Sequence, residues 1–332
     1  VDFLLLAGYN RYGGGVKLIL ELKAPAKINW FLNVTGRRED GFHSLETIFQ
    51  SISLADDIRL TLGKKVSESE GRIRCICRPM TVHDGIKGLE TGKMNGPNNI
   101  AYQAAALFGQ ELVNKGIPRP YISIDIKKRI PMMAGLAGGS SDAAAVLRGL
   151  NILMDSPLSQ SELEELACQC GSDVLFCLNG GTQWGEGTGS ELTPLAAAPE
   201  WHLVIVRPVV GVSTVEAYRV YDELKSRDAS PEKTTKQHGS QDDWVKAFAD
   251  GEKKSVIKMM SNSLEAAAIS LCPEIAVIKE ELIKTGCLAV MMSGSGSAVF
   301  ALVKDEEFQG FMVRYMFKKG FTNVWAARTS AI

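Results

Sequence analysis

One stretch limits the possible folds more than any other. It reads Pro131-Met132-Met133-Ala134-Gly135-Leu136-Ala137-Gly138-Gly139-Ser140-Ser141-Asp142-Ala143-Ala144-Ala145. Upstream, Ile122, Ile124 and Ile126 alternate with Ser123, Asp125 and Lys127, the period of a half-buried strand. Downstream, an Ala-rich run predicts a helix from about Ser140 to Leu153. A strand therefore delivers a Gly-rich loop that opens into a helix. Backbone N–H groups in such a loop can face an anion, and the helix N-terminus adds favourable partial charge. Gly135, Gly138 and Gly139 let phosphate oxygens approach without a Cβ in the way. Ser140 and Ser141 supply hydroxyls for phosphate or metal. The stretch is not a P-loop, because no Gly-Lys-Ser/Thr follows, and it lacks the spacing and acidic partner of a dinucleotide fingerprint. By itself it also reads as a turn with a Ser N-cap and an Ala face packed on a sheet.

The 332 residues suffice for about two domains and a full core. Lys plus Arg number 37 against 38 Asp plus Glu, a net charge of −1, so bulk charge offers no footprint for nucleic acid. Seven Cys without a Cys-x-x-Cys pair argue against a disulfide framework and for a reducing cytosol. No apolar run approaches the roughly 20 residues of a membrane span. The run Phe3 to Ala7 lacks the basic flank and cleavage site of a signal peptide. Gly13, Gly14 and Gly15 imply a purine-rich coding stretch just before Val16, which a GUG start could encode. Residues 1–15 are therefore expected to be a non-native or disordered extension that adds nothing to the fold.

Alternation predicts strands over 17–23, 28–34, 45–54, 57–62 and 72–78, with Pro25 between the first two. A Gly-rich loop spans 79–98, and Asn98 is a plausible N-cap for a helix from about Asn99 to Lys115. A further helix is expected from Ser159 to Cys170, closed by Gly171. The run Trp201 to Arg207 reads as a buried strand, and the polar stretch Lys225 to Asp243 as the most mobile loop. Helices over 273–285 and 306–318 alternate with strands over 287–292, 298–303 and 321–328. Runs of strands beside runs of helices indicate an α+β protein, with a boundary near Gly180 to Gly189.

Three more motifs carry possible chemistry. In Ala24-Pro25-Ala26-Lys27-Ile28-Asn29, a Lys and an Asn alternate outward on a strand; two solvated residues are the ordinary reading. Gly171-Ser172-Asp173-Val174 sets a carboxylate after a helix stop, where an Asp in a turn is common. Met292-Ser293-Gly294-Ser295-Gly296-Ser297 lies between two apolar strands and by itself is a tight turn.

Taken together and in this order, the motifs resemble those of the GHMP kinases (galactokinase, homoserine kinase, mevalonate kinase, phosphomevalonate kinase). The matching residues are APAKIN at 24–29, GRREDGFHSLETIFQSISLAD at 36–56, PMMAGLAGGSSDAAA at 131–145, GSDVLFC at 171–177, GVSTVEAY at 211–218 and MSGSGSAVFAL at 292–302. The Asp40-Gly41-Phe42-His43 segment is the specific part, similar to the branch whose alcohol substrate is a cytidyl diphosphate methylerythritol.

The resemblance implies a two-domain GHMP kinase fold. Residues 16–180 would form an ATP-binding domain like the second domain of ribosomal protein S5, and 181–332 an α+β substrate domain. It implies ATP and Mg²⁺ as cofactors, a small-molecule partner, and neither nucleic acid nor membrane. Lys27 and Asp173 match the catalytic pair, with Asp173 as the base on the substrate hydroxyl. The loop Pro131 to Ser141, with Asn99, would hold ATP. Asn29 and Thr214 would contact methylerythritol; Phe42, His43 and Tyr218 would bind cytosine, with the two aromatics on opposite faces of the base. Phe42 stands where Tyr is usual, Trp30 where Leu is common, Met132 and Met133 where smaller residues are usual, and Gln183 and Ser190 depart from Ala and Glu. Another GHMP kinase, or a GHMP-fold sensor without chemistry, is the alternative; keeping both Lys27 and Asp173 argues against the sensor. His83, His202 and His238 read as surface or core residues, and Cys168, Cys170 and Cys177 as buried small hydrophobes without zinc-ligand spacing.

Overall fold

The computed structural model describes residues 4–12, 15–63, 72–79, 94–227 and 239–330. Two strands of unusual length organise it, β2 (Gly15–Arg37) and β3 (His43–Gly63), paired antiparallel along most of their length. The strand break expected at Pro25 does not occur. Proline cannot donate to the ladder, and the chain absorbs it in a bulge: the register shifts between Pro25 and Lys27, and again between Asn29 and Phe31.

The first sheet runs β1 (Leu4–Tyr12), β2, β3, β5 (Tyr121–Lys128), β4 (Ile73–Pro79). Residues 4–12, expected to lie outside the fold, hydrogen-bond to β2 from Leu4–Leu22 to Tyr12–Gly15. An unpaired strand edge leaves its N–H and C=O groups open to any adjacent extended segment, and this one is a hairpin away. Two short strands, β6 (Thr182–Glu186) and β7 (Glu191–Pro194), extend the sheet beside β3. The change of sheet therefore falls after Pro194, not at residue 180.

Helices α1 (Ile100–Asn114), α2 (Gly138–Leu153), α3 (Gln160–Cys170) and α4 (Ser172–Asn179) pack against the first sheet around Leu20, Leu22, Leu60, Ile124 and Phe108. Asn99, not Asn98, caps α1: its side chain accepts from the Ala101 N–H, and Asn98 closes the preceding 3-10 turn. Ser159 and Glu162 form a reciprocal capping box on α3.

The second sheet has the antiparallel order β10 (Ala289–Met292), β11 (Val299–Leu302), β8 (His202–Val206), β12 (Val324–Arg328). Its inner strands are apolar from Leu203 to Val206 and from Val299 to Leu302 because both faces are covered. Leu203, Ile205 and Phe300 face the core shared with β2, while Val204, Val206 and Val299 face α8 (Glu265–Leu271), α9 (Glu274–Lys284) and α10 (Glu306–Lys318). The remaining elements are α5 (Thr214–Arg227), α6 (Gln241–Ala249), α7 (Lys253–Met259) and β9 (Ser261–Asn262), which pairs with β2. Most of the loop read as mobile, 228–238, lies outside the described residues, as do His83 and His238. His202 is half-buried on β8. No helix among the described residues is long and apolar enough to cross a membrane.

Trp30 joins the two sheets. Its fully buried indole meets Trp201 and Phe300 edge-on at centroid distances of 5.6 and 5.8 Å, and Phe248 of α6 at 6.2 Å. The departure from leucine is thus matched by an aromatic nest. Trp30→Ala is expected to cost about 3–5 kcal/mol, read as a fall in the urea midpoint with an unchanged denaturant slope; a loss under about 1 kcal/mol would show that the nest collapses freely.

Candidate active site

The bulge at Pro25–Lys27 gives Lys27 its setting. Lys27 and Asn29 are not solvated: they are 4% and 1% exposed. The Lys27 ammonium donates to Asn29 Oδ1 at 2.8 Å, Asn29 Nδ2 donates to Thr47 Oγ1 at 2.8 Å, and Thr47 donates to the Phe31 carbonyl. Asn29, expected to contact substrate, lines the cleft and has a protein partner at each end of its amide, through which it orients the lysine. Asp173 lies in the first turn of α4, where a carboxylate is favoured by the helix N-terminus. Its Oδ2 is 3.6 Å from Lys27 Nζ, and the side chain is one-third exposed, at 32%.

The Gly-rich loop is hydrogen-bonded on both flanks. The Lys27 N–H donates to the Leu136 carbonyl at 3.1 Å, and the Ala298 N–H donates to the Ala134 carbonyl at 3.0 Å. Ser293 Oγ donates to the Gly135 carbonyl at 3.1 Å. Gly135 has φ +73°, and a Cβ there would lie 2.1 Å from the Ser293 carbonyl oxygen. The glycine thus lets the chain's own turn approach, rather than leaving open room for phosphate. Gly138 is similar: a Cβ would meet Ile130 at 3.0 Å and Lys128 Nζ at 3.2 Å. Met133 and Ala137 adopt left-handed backbone without glycine's freedom, at φ 50° and 55°. Ser141 Oγ donates to the Pro25 carbonyl at 2.7 Å, and Ser140 is half-buried at the start of α2.

Beneath the loop sits a cluster that the sequence reading missed. Lys128 is buried between Asp56 and Asp142, at 2.8 Å from the latter. Asp56 also accepts the Ile130 N–H at 2.8 Å, fixing the strand end that feeds the loop. Burial opposes the Lys128 ammonium, but the two carboxylates outweigh it and hold its pKa above the usual lysine range. Burial pushes the Asp142 carboxyl well above its ordinary value, with Lys128 pulling it back.

These groups line one cleft of about 1500 Å³. Lys27, Asn29, Thr47 and Asp173 border it together with the loop from Pro131 to Gly139. Phe42, His43, Thr214 and Tyr218 line another part. Phe42 is 67% exposed, and Thr214 Oγ1 lies 2.9 Å from Ser295 Oγ. The Tyr218 ring stacks on His43 at 4.7 Å and 24°. Burial pushes its phenol up to about 12. His43 Nε2 is engaged by Asp222 Oδ1 at 2.7 Å, so only one ring nitrogen remains for a ligand. Asp222 lies one helical turn beyond Tyr218 on α5, a spacing through which the sequence could have drawn attention to it. Asn262, whose amide donates to the Met292 and Gly294 carbonyls at 2.9 and 2.8 Å, carries no local signal.

Asn99 is not brought to the cleft lining. Its side chain is engaged by the α1 cap and by a 2.7 Å bond to the Met94 carbonyl. Cys177 is buried as expected, but Cys168 is exposed and lines the cleft, and Cys170 is half-buried. The helix periodicity turns Cys168 away from Leu163, Leu166 and Ala167, which make the core contact.

Comparison with known proteins identifies the family. The model of the GHMP kinases N-terminal domain matches residues 99–181, and that of the GHMP kinases C-terminal region matches 244–321. A mevalonate kinase from L. major, at 16% identity, shares the fold with a TM-score of 0.68 over 98% of this chain and 99% of that one. Fold and motifs define a GHMP kinase. The 4-diphosphocytidyl-2-C-methyl-D-erythritol kinase of Desulfitobacterium hafniense (strain Y51) is 43% identical over 311 residues, 93% of this chain and 96% of that one. The enzyme of the same name from Moorella thermoacetica is 41% identical over 292 residues, 87% and 92% of the two chains. A crystal structure of 4-(cytidine 5'-diphospho)-2C-methyl-D-erythritol kinase, 33% identical, superposes with a TM-score of 0.69 over 93% of this chain and 99% of that one. The chain belongs to the 4-diphosphocytidyl-2-C-methyl-D-erythritol kinase family of GHMP kinases.

Lys128→Met is expected to destabilise by about 3–5 kcal/mol, because two buried carboxyls lose their cation. Without that cation, burial raises the folded-state pKa of Asp142 further above its unfolded value. Such a carboxyl stabilises below the unfolded pKa, and the contribution disappears as pH rises through the folded one. The deficit against the parent protein should therefore be larger at about pH 7 than at about pH 4 in urea titrations; a pH-independent deficit would show that packing alone is lost.

Proposed function

We propose that this chain transfers the γ-phosphoryl group of ATP to the 2-hydroxyl of 4-diphosphocytidyl-2-C-methyl-D-erythritol, giving the 2-phosphate and ADP, in the non-mevalonate route to isoprenoid precursors. The observation that carries the reading is the pair Lys27 and Asp173, 3.6 Å apart and lining the same cleft as the Gly-rich loop and the Phe42–His43 segment. Phosphoryl transfer asks for positioning and charge stabilisation more than for covalent chemistry. Asp173, partly exposed to the cleft, accepts the proton of the attacking hydroxyl. Lys27, held by Asn29 and Thr47, orients that carboxylate and offsets charge on the phosphoryl oxygens. The loop Pro131 to Ser141, at the N-terminus of α2, receives the phosphates. His43 hydrogen-bonds cytosine, Phe42 and Tyr218 flank its pocket, and Thr214 lies toward the methylerythritol.

Among the described residues no group of three or more His, Cys, Asp or Glu could hold a metal. That fits Mg²⁺, which usually takes one or two protein groups and completes its shell with water and substrate phosphates. Asp173, on the cleft lining, and Ser140, at the start of α2, would be donors for it. Mg²⁺ held there would supply positive charge to offset that of the phosphates. The substrates are small and water-soluble, and the cysteine usage suits a reducing compartment, so the proposed location is the cytoplasm.

Asp173→Asn is expected to lower turnover by about 10²–10⁴-fold with ATP binding retained, because the change is near-isosteric and removes the proton acceptor. Lys27→Ala should also lose turnover. ADP release measured in parallel with the cytidyl alcohol, mevalonate, homoserine and galactose tests the substrate; turnover of any of the last three in place of the first overturns it. His43→Ala should raise KM for the cytidyl alcohol far more than KM for ATP. Equal changes in the two would reduce His43 to a turn residue.

A further inference from the structure

The His43 ring is held from three directions by one face of α5. Tyr218 stacks on it, Tyr221 meets it edge-on at 6.3 Å and 81°, and Asp222 Oδ1 is 2.7 Å from Nε2. These are positions i, i+3 and i+4 of a single helix, so the contacts form together. The side chain is only 9% exposed, and the ring cannot turn over without breaking the Asp222 bond. Arg37 approaches the other Asp222 oxygen at 3.6 Å. Among the described residues Nδ1 has no partner.

We infer that Asp222 is a positioning residue that fixes the tautomer of His43, and through it the preference for cytosine over uracil. The inference rests on the reading of this cleft as a cytidyl site. An ionised carboxylate only accepts hydrogen bonds, so Nε2 must carry the proton. In the neutral ring Nδ1 is then a bare acceptor. The exocyclic amine of cytosine can donate to it. The corresponding carbonyl of uracil can only accept, and would set two lone pairs against each other. Discrimination of this kind is strong where a polar site is built for one partner. Without Asp222 the proton can sit on either nitrogen, and the Nδ1–H tautomer accommodates the uracil carbonyl.

Two measurements test this. Nitrogen-15 spectra of the parent protein at about pH 8, above the ordinary histidine range, should show His43 protonated at Nε2 and bare at Nδ1. A proton on Nδ1 there overturns the proposal and needs no variant. In Asp222→Asn, where the amide can donate or accept, the ratio of kcat/KM for the cytidyl over the uridyl alcohol should fall about tenfold, through KM. Asp222→Glu should restore part of it. A ratio unchanged in Asp222→Asn, with the parent preferring the cytidyl alcohol, overturns this proposal alone. A parent protein that turns over neither alcohol overturns the reading of the cleft instead.

Discussion

The site depends on a loop whose backbone is shared by both sheets. The Leu136 carbonyl accepts from Lys27 on β2, and the Ala134 carbonyl accepts from Ala298 at the start of β11. The turn at Ser293 packs so close to Gly135 that a methyl group could not fit between them. Gly294 of the same turn would place a Cβ 3.2 Å from Lys27 Nζ. Three segments far apart in sequence thus meet within one set of short backbone contacts. Displacing any one of them displaces the others, so Lys27 and the Gly-rich loop are held in fixed relation.

Two buried lysines show how environment divides labour. Lys128 sits between two buried carboxyl groups and is structural: its ammonium has a close partner on each side, and Asp56 also holds the strand end. Lys27 has a neutral amide at 2.8 Å and its carboxylate farther off at 3.6 Å, on a side chain partly open to the cleft. A tight buried pair resists change, because separating it leaves charge without solvent. A looser pair at a cleft can exchange partners with a ligand. The Lys27–Asp173 pair is therefore suited to chemistry, and the Lys128 cluster to support.

The wall opposite the loop is built differently. Helix α5 presents only Ala217 as a buried residue and meets the cleft with Thr214, Val215, Tyr218, Arg219, Asp222 and Glu223. It grips His43, on which Tyr218 stacks, while Phe42 is exposed at the same cleft.

Periodicity, turn residues and the motif strings were legible along the chain because they are local. The half-buried alternation of β5, the capping box of α3, the apolar run Leu203 to Val206 of β8 and the Gly-rich entry to α2 each follow from side chains within one or two turns of each other. Lys27 and Asp173 could be named from motif position in the same way. The direction Lys27 faces could not, because a bulge at Pro25 resets which side of β2 points inward, and only pairing with β3 reveals it. Nor could the bond of Asp222 to His43, which joins residues 179 apart, or that of Lys128 to Asp56, which joins residues 72 apart. Such contacts are selected by the docking of whole elements. Sequence alone determined the strands, the loop chemistry and the family; tertiary packing decided which polar groups are buried, what each is bonded to, and which remain free to meet a substrate.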